Sequence, residues 1–76
     1  MDTTKTLIYD TLIRLADHAP EQHAQIRQAL YEQLELPFNK QIALYTNVLA
    51  PASLGRLSDK ERLDDAVNLA DSILNS

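Results

Sequence analysis

Apolar residues recur along the chain with a helical period in four stretches, punctuated by three prolines and a single glycine. The first stretch covers residues 4–18. At about 100° per residue, Ile8, Leu12, Leu15, Ala16 and Ala19 share one face, widened by Tyr9 and Ile13. Asp10, Arg14 and Asp17 lie opposite, and Leu7 stands outside the stripe. Asp2, Thr3 and Thr4 offer oxygens to cap the free amides of the first turn. Ala19-Pro20-Glu21 breaks this helix and starts another, because proline loses nothing in a first turn, where its missing N–H has no partner.

The second stretch covers residues 20–36, with Ile26, Leu30 and Leu34 inside, flanked by Ala24 and Tyr31. After Leu36-Pro37, the spacing Phe38, Ile42, Tyr45, Leu49 follows i, i+4, i+7, i+11 and predicts a one-faced helix over 38–50. Leu44 and Val48 form an adjacent second row. Residues 50–57 hold the glycine and read as the one long connection, with Leu54 and Leu57 tucked onto the core. Ser58-Asp59-Lys60-Glu61 has the spacing of a capping box, opening a last helix over 58–74. This helix is expected to bury Leu63, Ala66, Val67, Ala70, Ile73 and Leu74. The small side chains of Ala66 and Ala70 admit a close neighbour, and Leu69 falls off the stripe.

Strand hairpins consume glycine and asparagine in their turns, so one glycine in 76 residues argues for helices. The pattern predicts an all-α fold in one domain, a small bundle of four helices arranged as two helical hairpins. A chain this short hides only about 60% of its unfolded surface, and small domains commonly lean on a disulfide, a metal or a partner. There is no cysteine, which removes disulfides and thiolate metal sites. A second copy or another protein is the support most open to it, and dimerisation is the expectation. Leu7, Leu44 and Leu69 look surplus to a single core, and the expected seam is Leu44, Val48 and Leu69.

Net charge is −4, with eleven acids against seven bases. A sequence-independent grip on phosphates needs clustered Lys and Arg. Here Arg56, Lys60 and Arg62 are interleaved with Asp59, Glu61, Asp64 and Asp65, so direct nucleic-acid binding is not expected. A helix-turn-helix drawn through 41–49 and 58–74 would place those same acids in the first turns of the reader helix, against the backbone. The start of the chain shows no basic region followed by a long apolar run. With no membrane-spanning stretch, the cytoplasm is the expected compartment.

Two constellations invite chemistry. His23, Arg27 and Tyr31 follow one another at single turns, and as a polar groove they would offer an acid or base and an anion clamp. The reading favoured over it is that Arg27 stacks on Tyr31 while His23 sits near solvent in the first turn of its helix. His18 and His23, with Asp17 and Glu21, straddle Pro20 and lack the i, i+4 spacing of a zinc helix. His18 is better placed to meet the last carbonyls of the first helix. Ala52-Ser53-Leu54 lacks the aspartate that precedes the phosphopantetheine serine of carrier proteins, and Gly-x-Ser-x-Gly is absent. No catalytic, cofactor or metal site is expected.

Elimination leaves a non-enzymatic interaction module, a regulator, inhibitor or accessory subunit that binds another cytoplasmic protein. The strip Asp59, Glu61, Asp64, Asp65 would steer a basic partner. A narrower alternative is an acidic inhibitor or antitoxin of the kind phages and mobile elements encode, covering a partner's nucleic-acid groove. An enzyme using His23 and Arg27, or a DNA-binding regulator, ranks below both.

Overall fold

A computed structural model of the chain describes residues 3–55 and 59–76. It is all-helical, with four helices and no strand among the described residues. Helix α1 is Thr3–Asp17 and α2 is Pro20–Gln33. Helix α3 is continuous over 38–53 but changes gauge: Phe38–Leu44 is α-helical, Tyr45–Leu49 is a π turn, and Ala50–Ser53 is α-helical again. Helix α4 is Lys60–Leu74. Helices α1 and α2 form one hairpin; α3 and α4 lie against each other, and α1 also packs on α4 and on the end of α3.

The core is drawn from all four helices. Ile8, Leu12 and Leu15 come from α1, Leu30 and Tyr31 from α2, Leu44, Val48, Leu49 and Ala52 from α3, and Ala66, Val67 and Ala70 from α4. Leu7, Tyr9, Ile26, Leu34, Leu36, Leu63, Ile73 and Leu74 pack around it, partly covered. Ala66 and Ala70 are buried, as small residues at a helix crossing should be, and Leu69 is half-exposed. Ala16 and Ala19 are exposed, in contrast to the stripe drawn from periodicity, because the chain leaves α1 for the Pro20 break at that end.

The expected seam is corrected here. Leu44 and Val48 are both fully buried, so they belong to the core and offer no surface to a partner. The row expected to face inward is the open one: Phe38, Ile42 and Tyr45 are exposed, and only Leu49 of that row is buried. The π turn accounts for Leu49. The wider turn carries i and i+5 to the same side of the axis, which brings Leu44 and Leu49 into one core alongside Val48. Its mark is the Ala50 N–H, which donates back five residues to Tyr45 O.

The same turn explains why Pro51 does not end the helix. A proline ring inside a helix crowds the carbonyl four residues back and removes one donor. Here the helix is widened just ahead of it, and α3 continues to Ser53, where periodicity placed a loop. Leu54 is exposed instead of tucked in, and Gly55 ends the helix in the left-handed region (φ 75°).

Two other helix ends show how the chain is turned. Helix α2 closes with Leu36 N–H donating to Tyr31 O (3.1 Å) and Glu35 N–H to Glu32 O (3.2 Å). This is the paired closure that places a left-handed residue after the helix, and Glu35 fills that position at φ 52°. Helix α4 is capped by Asp59, whose Oδ1 accepts from the Glu61 N–H at 3.2 Å, one residue later than the capping box suggested. Met1, Asp2, Arg56, Leu57 and Ser58, which carried parts of the expected caps and loop, lie outside the described residues.

Candidate functional site

Three sides of α3 do different work. Its inner side fills the core. Its second side faces α4: Lys40 Nζ donates to Ile73 O at 2.8 Å, to Ser76 O at 2.5 Å and to Ser76 Oγ at 2.9 Å. An ammonium has three donors, and all three are used to hold the closing turn of α4. Asn47, on the same side of α3, borders a hollow of about 230 Å³ with Arg62, Asp65, Ala66 and Leu69.

The third side is open. Phe38 is 74% exposed, Ile42 50% and Tyr45 42%. At i, i+4 and i+7 they form a single stripe two turns long, away from the Lys40 side. Helix α2 rests chiefly on α1 and leaves this stripe uncovered. It reaches α3 through Arg27, whose guanidinium carbon lies 4.9 Å from the centre of the Tyr45 ring. That is within the range of a cation–π contact, and it fixes one end of the stripe beside a positive charge.

His23, Arg27 and Tyr31 form neither a polar groove nor the expected stack of Arg27 on Tyr31 with His23 near solvent. His23 is buried, and its Nε2 donates to His18 O at 3.0 Å, across the break between α1 and α2. His18 Nδ1 donates to Arg14 O at 2.8 Å, so the two rings take up carbonyls one helical turn apart at the end of α1. Tyr31 is buried and does not receive Arg27; burial pushes its phenol above the ordinary value of 10.0, against the lowering pull of the Arg27 charge, with Tyr45 adding to the rise. Side chains one turn apart on α2 have thus gone separate ways: His23 to α1, Arg27 to α3, Tyr31 to the core.

Asp59, Glu61, Asp64 and Asp65 are all exposed. Asp59 is engaged as the cap of α4. The other three run along the solvent side of the helix, between two grooves that carry cations. Asp64 borders one with Lys5 and Lys60, and Asp65 borders the other with Arg62. The strip is therefore flanked by positive charge on both sides. Leu69 lies in the second groove, on the α4 side of α3, and so is separated from the Phe38 stripe.

Among the described residues no helix is long and apolar enough to cross a membrane, and no three His, Cys, Asp or Glu side chains are grouped to hold a metal ion. Sequence reasoning missed the outward turn of Phe38, Ile42 and Tyr45. The one signal within reach was Pro51: a helix that runs through a proline needs a local change of gauge, and that change moves Leu49 from the outer row to the core.

A family model described as Pas factor saposin fold matches residues 3–76, and the chain belongs to that family. No curated protein matches it.

Proposed function

We propose that this member of the Pas factor saposin-fold family is a non-enzymatic docking module that binds a helical segment of another protein along the open side of α3. The observation that supports this most is the stripe itself. A chain of 76 residues has little apolar surface to spare, yet it leaves a phenylalanine, an isoleucine and a tyrosine in one row facing solvent. Three large side chains at i, i+4 and i+7 are the anchor spacing by which one helix lies on another. Arg27 stacked on Tyr45 gives the row a positive end, suited to a partner helix that carries an acidic residue there.

The reading replaces the Leu44–Val48–Leu69 seam with Phe38, Ile42 and Tyr45, and it gives the acidic strip a secondary part. Cations on both flanks of Glu61, Asp64 and Asp65 weaken the long-range field that a nucleic-acid decoy needs. Regulator, inhibitor and accessory subunit are all roles that such a module fills.

The test compares Ile42→Glu with Asp64→Asn, both at exposed positions. Each is expressed in the native host as the full chain, followed by affinity purification and mass spectrometry. A partner retained by the wild type and Asp64→Asn but lost with Ile42→Glu is the expected result. A partner set unchanged by Ile42→Glu overturns the reading. Light scattering on the pure protein reads the other occupant: a dimer that Ile42→Glu dissociates would assign the stripe to a second copy instead.

A further inference from the structure

The groove between α1 and α4 encloses about 480 Å³, bordered by Lys5, Thr6 and Tyr9 on one helix and Lys60, Asp64, Val67 and Asn68 on the other. We propose that it binds a small carboxylate with an aromatic body. This site is separate from the α3 stripe and does not depend on what binds there.

The argument starts from where the positive charges go. Of the seven bases, Lys40 is committed to the end of α4 and Arg27 to Tyr45. Arg62 has an interaction of its own, and Arg14 projects from the exposed side of α1. Lys5 and Lys60 have no hydrogen bond or ion pair among the described residues. They come from opposite ends of the chain, and the fold sets both on the border of one concavity. Two ammonium groups with no partner among the described residues, beside one hollow in a chain of net charge −4, are a local reversal of sign.

The rest of the lining sets the class of ligand. The lining joins Tyr9, Val67 and the lysine methylenes to the polar side chains of Thr6, Asn68 and Asp64, and its exposed surface is mainly apolar. The hollow falls within the range of about 300–1,000 Å³ typical of small-molecule sites. An aromatic ring can lie against Tyr9 in an offset or edge-to-face arrangement, while a carboxylate reaches the ammonium groups. Asp64 on the same border leaves the lining with one net positive charge: two lysines less one aspartate. That is enough to attract an anion, and the apolar body favours a carboxylate carried on a ring over a phosphate dianion, whose larger cost of leaving water this lining does not offset.

Naphthoate is the probe, titrated into the full chain and followed by amide-resolved NMR at fixed ionic strength. Neutral naphthylmethanol is the control for the ring, and inorganic phosphate the control for the charge. The expected result is that naphthoate shifts the amides of Lys5, Thr6, Tyr9, Val67 and Asn68. The paired change Lys5→Gln with Lys60→Gln should weaken it roughly tenfold, and Asp64→Asn should tighten it by about threefold. All three positions are at the surface, and circular dichroism checks that the variants keep their helices. Equal binding of naphthylmethanol, stronger binding of phosphate, shifts confined to Phe38, Ile42 and Tyr45, or indifference to the paired change would each overturn the proposal.

Discussion

The two apolar rows of α3 are made of similar residues on one helix, and they meet opposite fates. Leu44, Val48 and Leu49 are fully buried, whereas Phe38, Ile42 and Tyr45 are left between 42% and 74% exposed. Hydrophobicity does not separate them, since the outer row carries more aromatic surface than the inner one. Their neighbours do. Helices α1 and α4 both reach the inner side of α3, while α2 lies chiefly on α1, adds Leu30 and Tyr31 to the shared core, and meets the outer row through the Arg27 guanidinium at Tyr45. A residue's burial is decided by which helices close over it, and its own sequence neighbourhood supplies only the candidates.

The sharpest way to break this comparison is to truncate one residue from each row. Leu44→Ala deletes a fully buried side chain and leaves a cavity, for an expected loss of about 3 kcal/mol. Ile42→Ala removes a side chain that is already half in water, for about 1 kcal/mol or less. Urea unfolding monitored by circular dichroism gives both. Equal costs would mean that the outer row is covered in solution, and a cost at Ile42 that falls on dilution would identify a second copy as the cover.

Much of the architecture was legible from the sequence, for stateable reasons. Helix α4 reads cleanly because its core positions lie in one band flanked by charges; Ala66, Val67 and Ala70 are buried, and Leu69 is half out. His18 closes α1 as its position beside Pro20 suggested, through the 2.8 Å bond to Arg14 O. Helix α3 was misread because two adjacent rows were both apolar, and a period fixes their spacing without saying which row faces in. Pro51 compounded the error, since a proline reads as a stop and the π turn that lets the helix continue leaves no mark in the hydrophobic pattern. The site features are further from reach. Arg27 finds Tyr45 on another helix instead of Tyr31 one turn along, and Lys5 and Lys60 meet over one groove only after the chain has folded.

A smaller effect probes the remaining side of α3. Lys40 ties this helix to the end of α4 through three acceptors. Lys40→Met keeps most of the methylene stem and removes the donors, at an expected cost of about 1 kcal/mol, below the usual figure for charged hydrogen bonds because water can replace part of them. The predicted signature is local: hydrogen exchange should rise at the last turn of α4 before the core responds. A loss as large as that of Leu44→Ala would show that the α3–α4 contact, and not the shared core, holds α3 in place, and would weaken the contrast between its faces.

The smallest expected change is a gain. The turn that aims α3 away from α2 passes through Glu35 at φ 52°, a left-handed conformation that costs a residue with a Cβ about 1 kcal/mol. Gly55 takes the same region at the end of α3 (φ 75°), so the two helix ends differ in residue more than in backbone conformation. Glu35→Gly should therefore raise stability by about 0.5 kcal/mol, the relief of strain outweighing the extra freedom glycine gives the unfolded chain. Since the Glu35 side chain is exposed, the change should leave partner binding through Phe38, Ile42 and Tyr45 as it was. If binding weakened while stability rose, the angle between α2 and α3 would itself be part of the docking surface, and the outer row would owe its exposure to a strained turn as well as to the absence of a covering helix.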